Sequence, residues 1–352
     1  MSSTGNEPLN SRWGGHGEPV PDRGRVEHAG PLVYLPCLDS AAHAARCRVS
    51  LAIPREHAKE LGLTAVVAAA SGYYLNARGE RVDWSQAVAR AVAAKVSIPP
   101  EAALPAIPPP REVAGAGESA TIPANLTPSG PAHLTPPAAS RSQSAMTRVQ
   151  VANETTLVAA RRLQAAGQRV LALNFANGVQ PGGGFLNGAR AQEEGLCRSS
   201  ALHATLLGDP MYQAHRQRPL ADSSDWAILS PRVPVFRADD GTPGEAPWEL
   251  CFLTCAAPYA PHLGQPRAGD LLRQRIHRVL AIAAAYGYPA LVLGAWGCGA
   301  FGNEPARTAR DFHAALAGDF AGTFAEVVFA IADWSPERQF LGPFAAQFRP
   351  GA

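Results

Sequence analysis

Two kinds of apolar run alternate along the chain from Thr147 onward. Short continuous runs, RVLALNFA (169–176), ALVLGAW (290–296) and EVVFAIAD (326–333), lack strict apolar–polar alternation and read as strands covered on both faces. Between them lie stretches with helical spacing. Leu157, Ala160 and Leu163 precede Gly167; Leu272, Ile276, Val279 and Ala283 mark a helix opened by Asp270 and ended at Gly287; Ala309, Phe312 and Leu316 follow Pro305. TRVQV (147–151) adds a strand, with Asn153 placed to cap the next helix, and DWAILSP, VPVFR and WELCFLTCAAP add extended pieces before a last helix from about Pro336. Strand and helix in turn predict an α/β domain over 147–352 with a mixed, largely parallel central sheet.

Upstream the pattern weakens. From about Arg55 to Val96 it is helical, interrupted at SGYYLNARGERVDWS, where Asn76 to Gly79 reads as a turn between two short extended pieces. Residues 51–98 are therefore expected to form a helical and hairpin subdomain. Residues 99–146 carry eleven prolines between Pro99 and Pro137 and almost no aromatic side chain, a composition that buries too little to order itself and reads as a linker or excursion. Residues 1–50, rich near the start in Gly, Pro, Ser and charge, are expected to be a poorly ordered extension.

Length and charge narrow the classes only a little. The 352 residues suffice for one large domain or two small ones, and a formal net charge of +2 does not suit a generic nucleic-acid binder, while leaving room for a small polyanion in one pocket. The first residues show no basic cluster ahead of an apolar run, and nothing approaches the roughly 18 continuous apolar residues of a membrane span, so no membrane association is expected and the protein is read as cytoplasmic. The six cysteines are scattered without a CxxC pair, as suits free thiols in a reducing compartment, and Trp296, Cys251 and Cys255 read as core or strand residues. The ten histidines show neither HxxxH nor HExxH, so no metal site is expected.

The chemistry gathers in two glycine-rich loops, each leaving the carboxyl end of a buried strand, the edge at which open α/β sheets bind ligands. One holds Gly182, Gly183 and Gly184; the other holds Gly297, Gly299 and Gly302 and runs into the helix at Pro305. Glycines let backbone N–H groups converge on an anion with no side chain in the way, and a helix N-terminus behind them adds positive potential. Neither loop is a nucleotide-cofactor motif. No GK[ST] follows, and GCGAFG, though spaced as G-x-G-x-x-G, lies late in the chain with no acidic residue at a strand end about twenty residues on, so no cofactor is expected.

Seven residues separate Gly184 from Gln192, which is followed by Glu193 and Glu194. Adjacent carboxylates commonly face solvent. Set in a cleft they suit cleavage of an acetal, which needs a proton on the departing oxygen and stabilisation of an oxocarbenium-like carbon. One glutamate must then keep its proton near neutrality, well above its reference value of about 4.3, and a covered cleft with a like charge alongside pushes that way.

The stretch NFANGVQPGGGFLNGARAQEE (174–194), a triple glycine followed by Q-E-E, resembles the macrodomain core and, more closely, the catalytic signature of bacterial-type poly(ADP-ribose) glycohydrolases. CRSSAL, SPRVPVFR and LVLGAWGCGAFGN follow in order, and the likeness runs from about Arg55, including GYYLNARGERVD, to the C-terminus. The resemblance implies a three-layer α/β/α sandwich whose cleft holds the terminal ADP-ribose of a polymer. It implies Glu194 as the acid that protonates the ribose–ribose oxygen and then activates water, Glu193 as the holder of distal-ribose hydroxyls, Gln192 as the third member and Asn177 as a ribose contact. Gly182, Gly183, Gly184 and Phe185 would form the catalytic loop. Gly297, Cys298, Gly299, Ala300 and Phe301 would form the diphosphate loop, with Phe301 against the distal ribose. The implied partners are poly(ADP-ribose) or an ADP-ribosylated protein, with ADP-ribose as product. A hydrolase of mono-ADP-ribosyl linkages and a non-catalytic ADP-ribose-binding macrodomain are the alternatives.

Overall fold

The computed structural model describes residues 30–106 and 146–349. The extension over residues 1–29 and most of the proline-rich segment, residues 107–145, lie outside them.

In chain order the elements are β1 (Leu32–Tyr34), α1 (Ala41–Leu51), α2 (Arg55–Ser71), β2 (Tyr73–Leu75), β3 (Arg81–Asp83), α3 (Ser85–Ala93) and β4 (Val96–Ile98). Then come β5 (Thr147–Ala152), α4 (Thr156–Ala165), β6 (Val170–Ala176), α5 (Gln192–Ser199), α6 (Leu202–Leu206), α7 (Pro210–Arg216), β7 (Ala227–Arg237) and β8 (Pro243–Ala256). The chain ends with α8 (Ala260–Leu263), α9 (Arg267–Ala285), β9 (Ala290–Leu293), α10 (Pro305–Ala317), β10 (Glu326–Ala330) and α11 (Leu341–Gln347). Eight strands form one sheet in the order β1-β5-β10-β9-β6-β8-β7-β4, and β2 and β3 make a separate antiparallel hairpin. The sheet is parallel from β1 to β8 and antiparallel at β7 and β4. It is thus mixed and largely parallel, as the apolar pattern predicts.

Alternate residues of the central strands feed two cores. Leu171, Leu173, Leu291, Leu293, Val327 and Phe329 join Leu272, Ile276 and Val279 of α9 and Phe312 and Leu316 of α10 on one face. Val170, Ala172, Ala290, Val292 and Val328 join Leu157, Ala160 and Leu163 of α4 and residues of α3, α5 and α6 on the other. Each of these strands is therefore covered twice, which explains why its sequence shows a run instead of an alternation.

Several boundaries differ from expectation. Asn153 does not cap α4. Thr155 does, its hydroxyl accepting from Val158 N at 3.1 Å, while the Asn153 amide bonds Asp39 and the Asp333 backbone beside it. The two pieces DWAILSP and VPVFR are one strand, β7, bent at a register shift where Arg232 takes φ 54°. Helix α9 begins at Arg267, ahead of Asp270, and α11 begins at Leu341, beyond Pro336. Within residues 1–50, Leu32–Tyr34 adds a strand to the sheet edge and α1 follows, and Val96–Ile98 pairs with β7 at the opposite edge.

Candidate active site

The parallel strands β5, β10, β9, β6 and β8 deliver their carboxyl ends to one edge, and a cleft of about 460 Å³ opens there. The turn after each of these five strands contributes to its lining: Thr155 after β5, Asn177 after β6, Ala257 after β8, Gly297 after β9 and Trp334 after β10.

The turn after β6 is built around Asn177. Its side-chain oxygen accepts from Val179 N (2.9 Å) and Gln180 N (3.0 Å), closing a local turn, while its own N–H donates to Glu193 Oε2 at 2.7 Å. Gly182 and Gly183 then take φ 73° and 58°. A β-carbon on Gly182 would meet the Phe185 ring at 2.9 Å, and one on Gly183 would meet the carboxylates of both glutamates. Only glycine fits this turn, for space as well as for backbone sign.

Gln192, Glu193 and Glu194 open α5, where unpaired N–H groups and the helix dipole favour negative charge. Gln192 turns toward β6, accepting from Phe175 N (2.9 Å) and donating to Leu173 O (2.8 Å) and Thr156 Oγ1 (3.1 Å). Glu193 is 3 % exposed, and besides the Asn177 amide it accepts from Asn174 Nδ2 at 3.3 Å. Burial raises its pKa to about 8; the Asn177 amide opposes the rise and the neighbouring Glu194 charge adds to it. Glu194 is arranged differently. Its Oε1 accepts from Gly184 N at 3.0 Å, and its Oε2, buried in the cleft wall, has no protein partner among the described residues.

The turn after β9 faces this pair. Gly297 takes φ 76°, and a β-carbon there would press on Ala257 and Asn303. Asn303, 2 % exposed, braces the turn by donating to Pro258 O (2.9 Å) and Gly297 O (3.1 Å). Gly299 and Ala300 are exposed on the cleft, with open space over Gly299, and α10 begins at Pro305 behind them. Phe301 stands edge-on to Tyr259, with ring centroids 5.7 Å apart.

The structure thus gathers Asn177, Gln192, Glu193, Glu194, Gly297, Gly299, Ala300 and Phe301 around one cleft, with Gly182, Gly183 and Gly184 beneath the carboxylates. Those three glycines do not line the cleft themselves, and neither do Phe185 and Cys298. Phe185, 1 % exposed, packs under the loop against Gly62 of α2, and the Cys298 thiol turns to Thr308 Oγ1 at 3.5 Å, its pKa pushed up to about 11 by burial. Sequence reasoning missed Glu154, Asp239, Arg190 and Trp334, all of which line the cleft. Trp334 directly follows the predicted strand EVVFAIAD, which was a usable signal; Glu154 and Asp239 lie two or three residues beyond TRVQV and VPVFR with no local motif to mark them.

The chain matches the family described as microbial-type PARG, catalytic domain, over residues 64–238. The crystal structure of poly(ADP-ribose) glycohydrolase from Thermomonospora curvata is 39% identical, with a TM-score of 0.70, over 83% of this chain and 100% of that one. This chain belongs to the microbial-type poly(ADP-ribose) glycohydrolase family. Within that family the Thermomonospora curvata enzyme bound to the inhibitor ADP-HPD is 38% identical, with a TM-score of 0.68 and the same 83% and 100% coverage. The Deinococcus radiodurans glycohydrolase in complex with ADP-ribose is 43% identical, with a TM-score of 0.57, over 59% of this chain and 87% of that one. No curated protein matches the chain.

Proposed function

We propose that this poly(ADP-ribose) glycohydrolase cleaves the ribose–ribose O-glycosidic bond at the polymer end, with Glu194 as general acid and then general base. The observation that carries the assignment is the unequal use of the two carboxyl groups. Glu193 has both oxygens engaged by Asn174 and Asn177, whereas Glu194 keeps Oε2 free of protein partners at the cleft. A group that must hand a proton to a substrate needs such an oxygen.

In this reading Glu194 gives its proton to the departing ribose oxygen as the C–O bond breaks and an oxocarbenium-like carbon forms. The resulting carboxylate takes a proton from the water that attacks this carbon, releasing ADP-ribose and restoring the acid. Glu193, its pKa raised by burial, holds the distal ribose hydroxyls. Asn177 contacts ribose, and the amides of Gly297, Gly299 and Ala300 receive the diphosphate at the start of α10, with Phe301 against the distal ribose. Phe185 and Cys298 support the two loops from behind, and Gln192 ties α5 to β6.

The catalytic unit comprises residues 147–352 together with the subdomain 51–98, since α2 packs on the catalytic loop through Gly62 and Phe185. No described helix is long and apolar enough to cross a membrane, and the five described cysteines are free, which suits work in the cytoplasm.

ADP-ribose release from polymer by wild type, Glu193→Gln and Glu194→Gln tests the assignment. Glu194→Gln is expected to lose about 10² to 10⁴ in kcat with ADP-ribose affinity retained. An active Glu194→Gln beside a silent Glu193→Gln would reverse the two roles, and a mono-ADP-ribosylated substrate cut faster than polymer would move the protein to the other linkage class.

A further inference from the structure

A second groove of about 480 Å³ lies on the other side of the catalytic loop. Its walls are the turn 187–191, Gly184 and Arg55, and it shares Arg190 and Ala191 with the main cleft. Glu194 lies between the two spaces: it is among the residues lining the main cleft, and its Oε1 is held by the N–H of Gly184, which walls the groove.

The groove is basic and uncompensated. Arg55 and Arg190 are both exposed, and no acidic residue lines it. Arg55 Nε donates to Asn187 O at 3.2 Å and Arg190 Nη1 to Ile53 O at 2.9 Å. These bonds fix each side chain while leaving most guanidinium N–H donors to solvent. Among the described residues neither arginine forms an ion pair, whereas Arg218 and Arg232 are each matched to a carboxylate. The guanidinium fork is the group best suited to a phosphate oxygen pair.

We infer that the groove bearing Arg55 and Arg190 binds the diphosphate of the penultimate ADP-ribose unit, the one that leaves when the terminal unit is cut. The inference rests on the function proposed above. With the terminal unit in the main cleft, the departing oxygen must face Glu194 to receive its proton. The chain attached to that oxygen therefore continues on the acid's side, toward the Arg190 rim. Each unit of the polymer carries a diphosphate, so two fixed guanidinium groups there meet a doubly charged ligand.

The test is polymer cleavage at several salt concentrations by wild type, Arg55→Gln, Arg190→Gln and the charge-keeping Arg55→Lys, with melting curves and calorimetry of free ADP-ribose on each. Each Gln variant is expected to raise KM for polymer about threefold to tenfold near physiological salt and to flatten log(kcat/KM) against log salt by about 0.7 per lost charge. In the Arg55 variants ADP-ribose affinity should stay within about twofold of wild type, because Arg55 lies outside the main cleft and that ligand has no penultimate unit, and Arg55→Lys should keep most of the salt slope. Arg190→Gln also removes the bond to Ile53; if it melts early, the two Arg55 variants decide the matter. Unchanged KM and slope, a fall in kcat alone, or an equal loss of ADP-ribose and polymer affinity in Arg55→Gln would each overturn the inference. Wild type that leaves polymer uncut would instead sink the glycohydrolase reading, since the groove is judged only against a wild type that cuts.

Discussion

Gly183 lies directly under the Glu194 carboxylate: a β-carbon there would stand 2.5 Å from Oε1, and 3.0 Å from Glu193 Oε2, on a backbone already at φ 58°. The methyl group of Gly183→Ala must therefore displace the Glu194 carboxylate, the proposed acid, or reopen the turn. Misplacing a catalytic group by about 1 Å is worth on the order of 10² in rate, so kcat on polymer should fall by roughly that factor. Gly79→Ala is the control. Gly79 has φ 78° with nothing within 4 Å of its β-position, so it carries the backbone strain without the clash and should leave kcat unchanged. A Gly183→Ala enzyme within threefold of wild type would mean the loop yields cheaply and that the close approach is not what seats Glu194.

Burial of Glu193 predicts a direction for stability against pH. Its folded pKa is about 8 against a reference of 4.5, so between these values the folded protein holds a proton that the unfolded chain has lost. Stability then falls as pH rises through this window and levels off above about 8. Glu193→Gln removes the dependence, so the variant's melting temperature should gain on wild type steadily from pH 4.5 to 8. For a domain of this size about 1 kcal/mol moves Tm by ~2–4 °C, which a thermal scan at each pH resolves. A difference between the two proteins that stays flat across that range would show that Glu193 is ionised in the folded state throughout.

His215 predicts the opposite slope from the other side of the same loop. Its Nδ1 meets Gly178 O at 3.0 Å, and its Nε2 accepts from Ser224 N at 3.1 Å, clipping the residue after Asn177 to the segment before β7. Burial pulls its pKa down to about 4, the Gly178 carbonyl resists, and Arg275 and Arg218 add to the fall. Between about 6.5 and 4 the unfolded chain takes up a proton that the folded protein refuses, so this contribution is lost as pH falls. His215→Gln should cost most stability near neutrality and least near pH 4, with a fall in kcat that follows the displacement of Asn177. A pH-independent stability difference would remove the titration from the account.

The parts legible in the sequence are those whose signal is local. Strands β6, β9 and β10 are continuous apolar runs because both faces are covered, and α9 and α10 carry a full apolar stripe. The glycine loops and the Gln-Glu-Glu triplet were readable because they are contiguous. What failed depends on distant partners. In VANETT, Asn153 and Thr155 are both acceptable caps, and the choice falls to Thr155 because Asn153 is engaged by Asp333 and Asp39, residues far away in the chain. A strand of three residues such as Leu32–Tyr34 shows no period and exists only through its pairing with Thr147–Val149. The basic rim was hidden for the same reason. Arg55 and Arg190 are 135 positions apart, and only the packing of α2 on the catalytic loop makes them neighbours.

Asn303 offers a way to separate holding the ligand from cutting it. Its amide is the brace between the turns after β8 and β9, donating to Pro258 O and Gly297 O from a site 2 % exposed. Asn303→Ala leaves those two carbonyls without that donor, a loss of about 1–3 kcal/mol in stability. It also loosens Gly297, whose N–H belongs to the loop proposed to receive the diphosphate, without touching Gly183, Glu193 or Glu194. The expected result is weaker binding of ADP-ribose by calorimetry and a higher KM, with kcat at saturating polymer changed far less than in Gly183→Ala. Were Asn303→Ala to lower kcat as steeply as Gly183→Ala while leaving ADP-ribose affinity intact, the loop after β9 would belong to the chemical step, and the division of labour between the two glycine turns would have to be redrawn.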